Sequence, residues 1–237
     1  MPELHPRIHK PPYDAAEAVR ALSAADTKLA KLIERAGPFT LKLPAQQSPF
    51  EALFRSILYQ QLHGKAAAAI HSKLIASFEP LAGFGKHPSA QHILDCPNEQ
   101  LRAAGLSHNK ALAIRDLAAK TLDGTVPSLA RIKRMSDEEI VEHLTQVRGI
   151  GRWTVEMFLM FRLGRPDVLP VSDYGVRKGF ALTFMGLKPE QKVTPDLLPK
   201  PEVMERRARK WVPWRSVASW YLWRACDLAA GKILQPQ

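Results

Sequence analysis

Residues 144–155, LTQVRGIGRWTV, lie between two segments whose apolar residues recur at helical spacing. This pattern predicts two amphipathic helices joined by a very short hairpin. Gly149 and Gly151 allow the backbone to turn sharply and to approach another backbone closely. The second helix would then direct its first N–H groups outward, and with Arg148 and Arg152 these would form a site for a phosphodiester. The alternative is a plain helix–helix turn in which the glycines serve only the backbone.

Helical patterns extend in both directions from the hairpin. Ser48 and Glu51 form a capping box that starts one helix, and Gly64 divides the apolar stripe that follows into two helices. Ser136 and Glu139 form a second capping box just before the hairpin. No alternating pattern long enough for a strand occurs anywhere in the sequence. The sequence therefore predicts an all-α fold.

A carboxylate follows the hairpin, 22 residues after Gly151, at Asp173. The extended, proline-containing residues 167–171 precede it, and Ser172 is the expected cap of the next helix. Asp173 could face a DNA cleft. It could also be an ordinary carboxylate in the first turn of a helix, where the helix dipole stabilises it whether or not it does chemistry.

The composition limits the possible partners. The 237 residues include 34 Lys and Arg against 23 Asp and Glu, a formal net charge of +11. Such an excess predicts a polyanionic partner, of which nucleic acid is the commonest, although a ribosome-like or an anionic-lipid partner would fit the charge equally well. The two cysteines, Cys96 and Cys226, are too few for a disulfide framework or a four-cysteine iron–sulfur cluster.

No apolar run approaches the roughly 18 residues that a membrane span needs. The first twelve residues contain four prolines and lack the continuous apolar centre of a signal peptide. We therefore expect residues 1–12 to form a flexible basic arm. We also expect the protein to be intracellular, in the cytoplasm or with the nucleoid or nucleus, and not to bind a membrane.

Taken together, several motifs resemble the helix–hairpin–helix DNA glycosylases, and within them the alkylbase (3-methyladenine) branch. The motifs are the hairpin, the approach to Asp173, QQLH at residues 60–63, GLSHNK at residues 105–110 and WVPWRS at residues 211–216. The resemblance covers roughly residues 45 to 230. It implies a damaged nucleotide flipped into a cleft, where its N-glycosidic bond is cleaved in base excision repair.

The resemblance also implies two helical lobes with that cleft between them. Residues 13–47 and 166–237 would form a discontinuous lobe that carries Asp173, and residues 48–165 would form the lobe that carries the hairpin. Residues 1–44 are too short for the additional N-terminal α/β domain of larger relatives, so we expect the compact form of the family, acting as a monomer on double-stranded DNA with alkylated bases.

Site roles follow from the same resemblance, position by position. Asp173 matches the essential aspartate, and His63 stands where a side chain fills the gap left by the flipped base. The expected lesion pocket contains Trp153, Met157 and Trp223. The expected DNA contacts are Arg148, Gly149, Gly151, Arg152 and Thr154. The main-chain carbonyls of Thr145, Val147 and Ile150 are the expected ligands of a structural Na⁺ or K⁺; no other cofactor is expected.

The sequence departs from the family pattern in informative places. Arg148 replaces a common proline and adds a positive charge. Met157 replaces an aromatic residue of some relatives, which leaves the substrate range open, and Ser172 replaces a second acid. Trp153 stands where bifunctional members place a nucleophilic lysine, so Schiff-base chemistry and lyase activity are not expected.

A single carboxylate suffices for the implied reaction. Cleavage builds positive charge on the sugar, which Asp173 would stabilise, and an alkylated base is already cationic and leaves readily. Three alternatives stay open: a DNA-binding protein of this fold that does not cleave, a glycosylase of the same fold for another damaged base, and a basic helical RNA-binding or regulatory module.

Overall fold

A computed structural model describes residues 9–44, 48–78 and 87–232 of the chain, and in these ranges the regular structure is helical. The α-helices are α1 (Ala15–Ala25), α2 (Thr27–Ala36), α3 (Pro49–Tyr59), α4 (Gly64–Ala76), α5 (Ala90–Asp95), α6 (Asn98–Ala103), α7 (His108–Leu122), α8 (Leu129–Ile132), α9 (Asp137–Leu144), α10 (Arg152–Phe158), α11 (Tyr174–Phe180), α12 (Pro201–Ala208) and α13 (Arg215–Ala229). Short π-helical turns continue α10 over Leu159–Leu163 and α11 over Ala181–Met185. The all-α prediction is confirmed.

The chain divides into two compact units. Unit one contains residues 1–45 and 159–237, and unit two contains residues 46–158. The resemblance also implies a discontinuous first unit, with different limits. The first segment of unit one ends at residue 45 rather than 47, and the chain re-enters unit one at residue 159, inside the helical segment that follows the hairpin, rather than at residue 166.

Asp26 organises the start of unit one. It ends α1 and caps α2, where its Oδ1 accepts the N–H groups of Lys28 at 3.2 Å and Leu29 at 3.4 Å. Its buried carboxylate also pairs with Arg207 at 2.7 Å and Lys210 at 3.1 Å. Burial alone would raise the pKa of Asp26, but these cations and a hydrogen bond from an indole N–H hold that pKa at about 2.

Helices α11 and α13 pack closely in the core of unit one. A Cβ atom at Gly179 would lie 1.9 Å from the carbonyl oxygen of Leu222, so only glycine allows this approach. The close packing fixes the position of α11, whose N-terminus carries Asp173. The buried side chains around the two helices include Leu22, Leu29, Val176, Phe180, Trp211 and Tyr221.

The structure describes only part of the N-terminal arm predicted over residues 1–12. Residues 1–8 lie outside the described residues. From His9 onward the chain is attached to unit one, because His9 and Leu43 exchange backbone hydrogen bonds of 2.9 and 2.8 Å. Pro12 also packs against Gly164. The flexible arm predicted through residue 12 is therefore wrong for residues 9–12.

Unit two is built around α7, which packs against α3 and α5. Both predicted capping boxes are present: Ser48 and Glu51 start α3, and Ser136 and Glu139 start α9. The predicted break between two helices falls at residues 60–63, immediately before α4 begins at Gly64. Helices α9 and α10 are joined by residues 145–151, which we call the hairpin. In the described ranges no helix has the length and apolar character needed to cross a membrane.

Candidate functional site

Asp173 is the N-cap of α11 in unit one. Its Oδ1 accepts the N–H of Val176 at 2.8 Å, and its own carbonyl accepts the N–H of Arg177 at 2.9 Å. The cap expected at Ser172 is therefore displaced by one residue, and Ser172 is exposed. An aspartate side chain is well suited to this position because it satisfies a first-turn N–H and its charge favours the helix N-terminus.

Trp223 holds the same oxygen of Asp173 from α13. Its indole Nε1 donates to Oδ1 at 2.8 Å, and its ring packs against Phe161 with ring centres 5.5 Å apart. Gly175 makes room for the indole, because a Cβ atom there would lie 2.6 Å from Trp223 Cδ1. The sequence placed Trp223 in a lesion pocket only through resemblance. The structure adds a direct hydrogen bond to the carboxylate.

The approach to Asp173 is tied to the beginning of α13. Asp167 receives a two-point contact from Arg215, with Nε and Nη2 at 2.7 and 2.8 Å. Ser216 Oγ donates to the carbonyl of Arg165 at 2.7 Å and accepts the N–H of Val168 at 2.9 Å. These bonds hold the extended approach to Asp173 against the beginning of α13. They explain why the WVPWRS motif and the extended approach occur together.

Gly149 and Gly151 of the hairpin have different physical roles in unit two. Gly149 has a φ of +79°, which disfavours other residues. Gly151 has neither a positive φ nor any atom within 4 Å of a Cβ position. Backbone geometry therefore does not require glycine at Gly151. Its exposed backbone allows close approach by another molecule, which fits the expected phosphate contact.

Two residues of α7 fasten the hairpin from beneath. Asp116 Oδ2 accepts the backbone N–H of Arg148 at 2.7 Å. Lys120 Nζ donates to both carboxylate oxygens of Asp116 at 2.8 Å and to the carbonyl of Gln146 at 2.7 Å. Burial alone would raise the pKa of Asp116, but the Arg148 N–H and the Lys120 ammonium lower it below its usual range. The Arg148 side chain itself is exposed.

Arg152 has a different environment from Arg148. Its guanidinium makes two 2.9 Å contacts with Glu138 and a 3.3 Å contact with Glu156. The hydrogen bonds that Arg152 donates to Glu138 raise the pKa of Arg152, and the two acids neutralise its charge beside the hairpin. A phosphate contact by this side chain, as the resemblance implies, would compete with these pairs.

The remaining residues expected on α10 differ in exposure. Trp153 is 46% exposed, Met157 is half-buried and Thr154 is buried. Trp153 therefore presents an aromatic surface to an incoming group. The Thr154 side chain belongs to the packed face of the helix, so any contribution of Thr154 to phosphate binding comes from its backbone N–H in the first turn.

The 60–63 loop presents two candidates for the gap left by a flipped base. His63 caps α4 with an exposed side chain that makes no capping hydrogen bond, and its φ is −66°. Gln61 is also exposed and has a φ of +56°, a left-handed conformation that non-glycine residues rarely adopt outside functional or tight segments. Sequence reasoning selected His63 and missed Gln61, because a left-handed glutamine has no sequence signal.

The hairpin also offers carbonyl groups for a cation. Thr145 is the C-cap of α9, where main-chain carbonyls lack intrahelical donors and carry partial negative charge. The carbonyl oxygen of Val147 accepts the N–H of Ile150 at 3.0 Å, and this bond closes the turn. A carbonyl oxygen has two lone pairs, so one of them stays available for a cation. Hard oxygen donors of this kind fit Na⁺ or K⁺.

Comparisons with known proteins show what the chain is similar to. The family described as HhH-GPD superfamily base excision DNA repair protein matches residues 54–213, a range that includes parts of both units. DNA-3-methyladenine glycosylase 1 of Schizosaccharomyces pombe is 34% identical over 209 residues, which are 88% of this chain and 86% of that protein.

Solved structures give the same picture. DNA-3-methyladenine glycosidase from Bacillus halodurans superposes with a TM-score of 0.76 at 30% identity, over 97% of each chain. A 3-methyladenine DNA glycosylase of Schizosaccharomyces pombe, solved in complex with abasic DNA, gives a TM-score of 0.66 at 32% identity, over 88% of this chain and 95% of the other.

Proposed function

The chain belongs to the HhH-GPD superfamily of base excision DNA repair proteins, and from this premise we propose that it is a DNA glycosylase that removes alkylated bases. Its substrate is double-stranded DNA that carries 3-methyladenine, with 7-methylguanine as a second lesion. The observation that carries the proposal is the arrangement at Asp173, a carboxylate fixed by two N–H donors at the end of a closely packed helix.

Asp173 supplies the negative charge that the reaction needs. As the bond between sugar C1′ and base nitrogen breaks, its electron pair leaves with the base and positive charge develops on the sugar. A carboxylate that is already oriented stabilises this charge without rearranging. Val176 N–H and Trp223 Nε1 set that orientation through Oδ1. Water then adds to C1′, and its proton passes to solvent or to the carboxylate.

The proposed leaving group explains why one carboxylate is enough. A purine alkylated at a ring nitrogen is cationic, so it departs as a neutral base without a strong general acid. Stacking of such a base on an aromatic ring contributes on the order of 0.5 to 2 kcal/mol. Trp153, at 46% exposure, is the proposed stacking surface, with Met157 beside it on α10.

Trp153 also argues for a monofunctional enzyme. A lyase needs a lysine amine to attack C1′ and form a Schiff base. We propose that the tryptophan at this position removes that route, so the product is an abasic site with an intact backbone.

DNA backbone binding is proposed for the hairpin. Three of its residues are exposed to solvent: Arg148, Gly149 and Gly151. A cation bound to the carbonyls of Thr145, Val147 and Ile150 would add positive charge close to a bound phosphate. The net charge of +11 supports binding that does not depend on base sequence. We propose that the protein acts as a monomer in the compartment that holds the cell's DNA.

Release of free base from a methylated duplex tests this function. Wild type is compared with Asp173→Asn, which keeps an Oδ1 acceptor for Val176 and Trp223 but removes the charge. Exposed Asp196→Asn, in unit one, is the matched control. We expect wild type and the control to release 3-methyladenine and 7-methylguanine, Asp173→Asn to release neither, and borohydride to trap no adduct.

Two results would contradict the proposal. If wild type binds duplex DNA but releases no base, the chain is a binding module and Asp173 is only a helix cap. If borohydride traps a covalent adduct, the enzyme is a lyase and the monofunctional assignment is wrong.

A further inference from the structure

Lys110, from the GLSHNK motif, places its ammonium group beneath the 60–63 loop. Its Nζ donates to the carbonyls of Leu58 and Gln60 at 2.6 and 2.8 Å. Both carbonyls belong to the C-terminal end of α3, where helical carbonyls lack intrahelical donors and a cation is electrostatically favoured. Burial lowers the pKa of Lys110, which accords with its partly enclosed position. Lys110 therefore fixes the point at which the chain leaves α3.

Gln60 connects the same loop to the hairpin. Its side-chain Nε2 donates to the carbonyl of Gly149 at 2.9 Å, while its own carbonyl receives Lys110. The residue is thus held on one side by α7 and on the other by the hairpin. The next residue, Gln61, is the one with the left-handed backbone. A conformation of this kind persists when its surroundings determine it from both sides.

These contacts connect the hairpin to the 60–63 loop within unit two. Under the proposed function, on which this inference rests, the hairpin binds a phosphate and the loop inserts a side chain where the base has left the stack. Flipping costs a few kcal/mol of unstacking, and the inserted side chain offsets that cost only if it arrives at the correct depth relative to the bound phosphate.

We infer that Gln60 and Lys110 are positioning residues for base flipping: they set the distance between the phosphate-binding hairpin and the side chain that enters the duplex. Neither residue needs to touch the lesion. Their hydrogen bonds go to backbone carbonyls of the two DNA-contacting elements and of the end of α3. Loss of either should impair flipping and leave the chemical step intact.

The test compares two substrates that differ only in the cost of flipping. One carries 7-methylguanine paired with cytosine in a duplex, and the other carries it within a short unpaired bubble. Single-turnover release rates are measured for wild type, Lys110→Met, Gln60→Ala and the control Lys73→Met, an exposed lysine on α4. We expect Lys110→Met and Gln60→Ala to lower the release rate on the order of 10- to 100-fold on the paired duplex, since small misplacements have effects of this size. On the bubble we expect the rate to fall by less than about threefold.

A second readout follows flipping directly, through the fluorescence of 2-aminopurine placed beside the lesion. Both variants should show a smaller increase on binding than wild type and Lys73→Met. Gln60→Ala leaves Lys110 in place, so it remains informative if Lys110→Met lowers the unfolding temperature.

Three outcomes separate the possibilities. Equal losses on both substrates would mean that the residues serve only the fold, and unchanged rates on both would mean that they have no role. Either result overturns the inference. Absence of base release by wild type would instead contradict the proposed function itself.

Discussion

The indole N–H of Trp223 and the backbone N–H of Val176 meet at a single oxygen, Oδ1 of Asp173, each at 2.8 Å. One donor comes from α13 and the other from the first turn of α11. The carboxylate is therefore oriented by two helices that pack directly against each other in unit one.

Replacement of Trp223 by phenylalanine removes this hydrogen bond but keeps an aromatic ring against Phe161. A hydrogen bond to a charged group contributes about 1.5 kcal/mol or more, so we expect the single-turnover rate to fall by roughly tenfold or more. Trp214→Phe, also in unit one, is the control for loss of an indole. An unchanged rate in Trp223→Phe would show that Val176 alone orients the carboxylate.

Gln61 and His63 are competing candidates for the inserted side chain. The left-handed backbone at Gln61 favours that residue, although the resemblance pointed to His63. We expect Gln61→Ala to reduce base release from a paired duplex by about tenfold or more, because unstacking is no longer offset, and His63→Ala to have a smaller effect. The opposite order in the release rates would restore the original assignment.

Arg148 of the hairpin and Arg152 at the start of α10 should differ in their contribution to salt-dependent binding. The Arg148 side chain is exposed, whereas Arg152 is paired with Glu138 and Glu156. Binding of unmodified duplex should weaken steeply between about 50 and 200 mM salt. We expect Arg148→Ala to reduce the slope of log K against log salt by about one, and Arg152→Ala by less. Equal reductions in titrations followed by fluorescence anisotropy would show that DNA displaces the Arg152 ion pairs.

Asp26 makes a testable contribution to acid stability. Its folded-state pKa of about 2 lies below the ordinary 3.8, so the carboxylate stabilises the fold above about pH 4, and this is lost as the pH falls toward 2. The difference corresponds to roughly 2 kcal/mol. Unfolding by urea at a series of pH values, followed by tryptophan fluorescence, should show this loss in wild type and a flatter profile in Asp26→Asn. The fluorescence reports mainly on unit one, because four of the five tryptophans lie there. Parallel profiles for the two proteins would rule out this role.

Much of the fold could be predicted from local signals. The capping boxes at Ser48 and Ser136 and the break before Gly64 are short-range features, and the structure confirms each of them. The attachment of His9 to Leu43 could not be predicted, because a single bridge between segments 34 residues apart leaves no periodic pattern. The cap at Asp173 instead of Ser172 was equally hidden, since both residue types cap helices well.

The site was predicted through motifs rather than through contacts. Resemblance selected Asp173 and Trp223 without indicating that they touch. It marked Lys110 and the paired glutamines as shared residues without assigning them a task. The clamp of Asp116 and Lys120 on the hairpin was missed altogether, because a charged pair four residues apart on a helix is by default a surface ion pair. Long-range hydrogen bonds of this kind, from side chains to backbone atoms, can be recognised only in the three-dimensional structure.

The discontinuous course of unit one has a consequence for how the protein is made. During synthesis from the N-terminus, the whole of unit two, residues 46–158, is made before the second segment of unit one, which begins at residue 159. Until that segment is made, residues 1–45 lack the rest of their unit. Domains tend to fold as units while the chain emerges from the ribosome. The hairpin is therefore translated before the proposed catalytic aspartate, and a nascent chain that ends between residues 151 and 173 contains the proposed DNA-contacting element without the carboxylate proposed to support cleavage of a glycosidic bond.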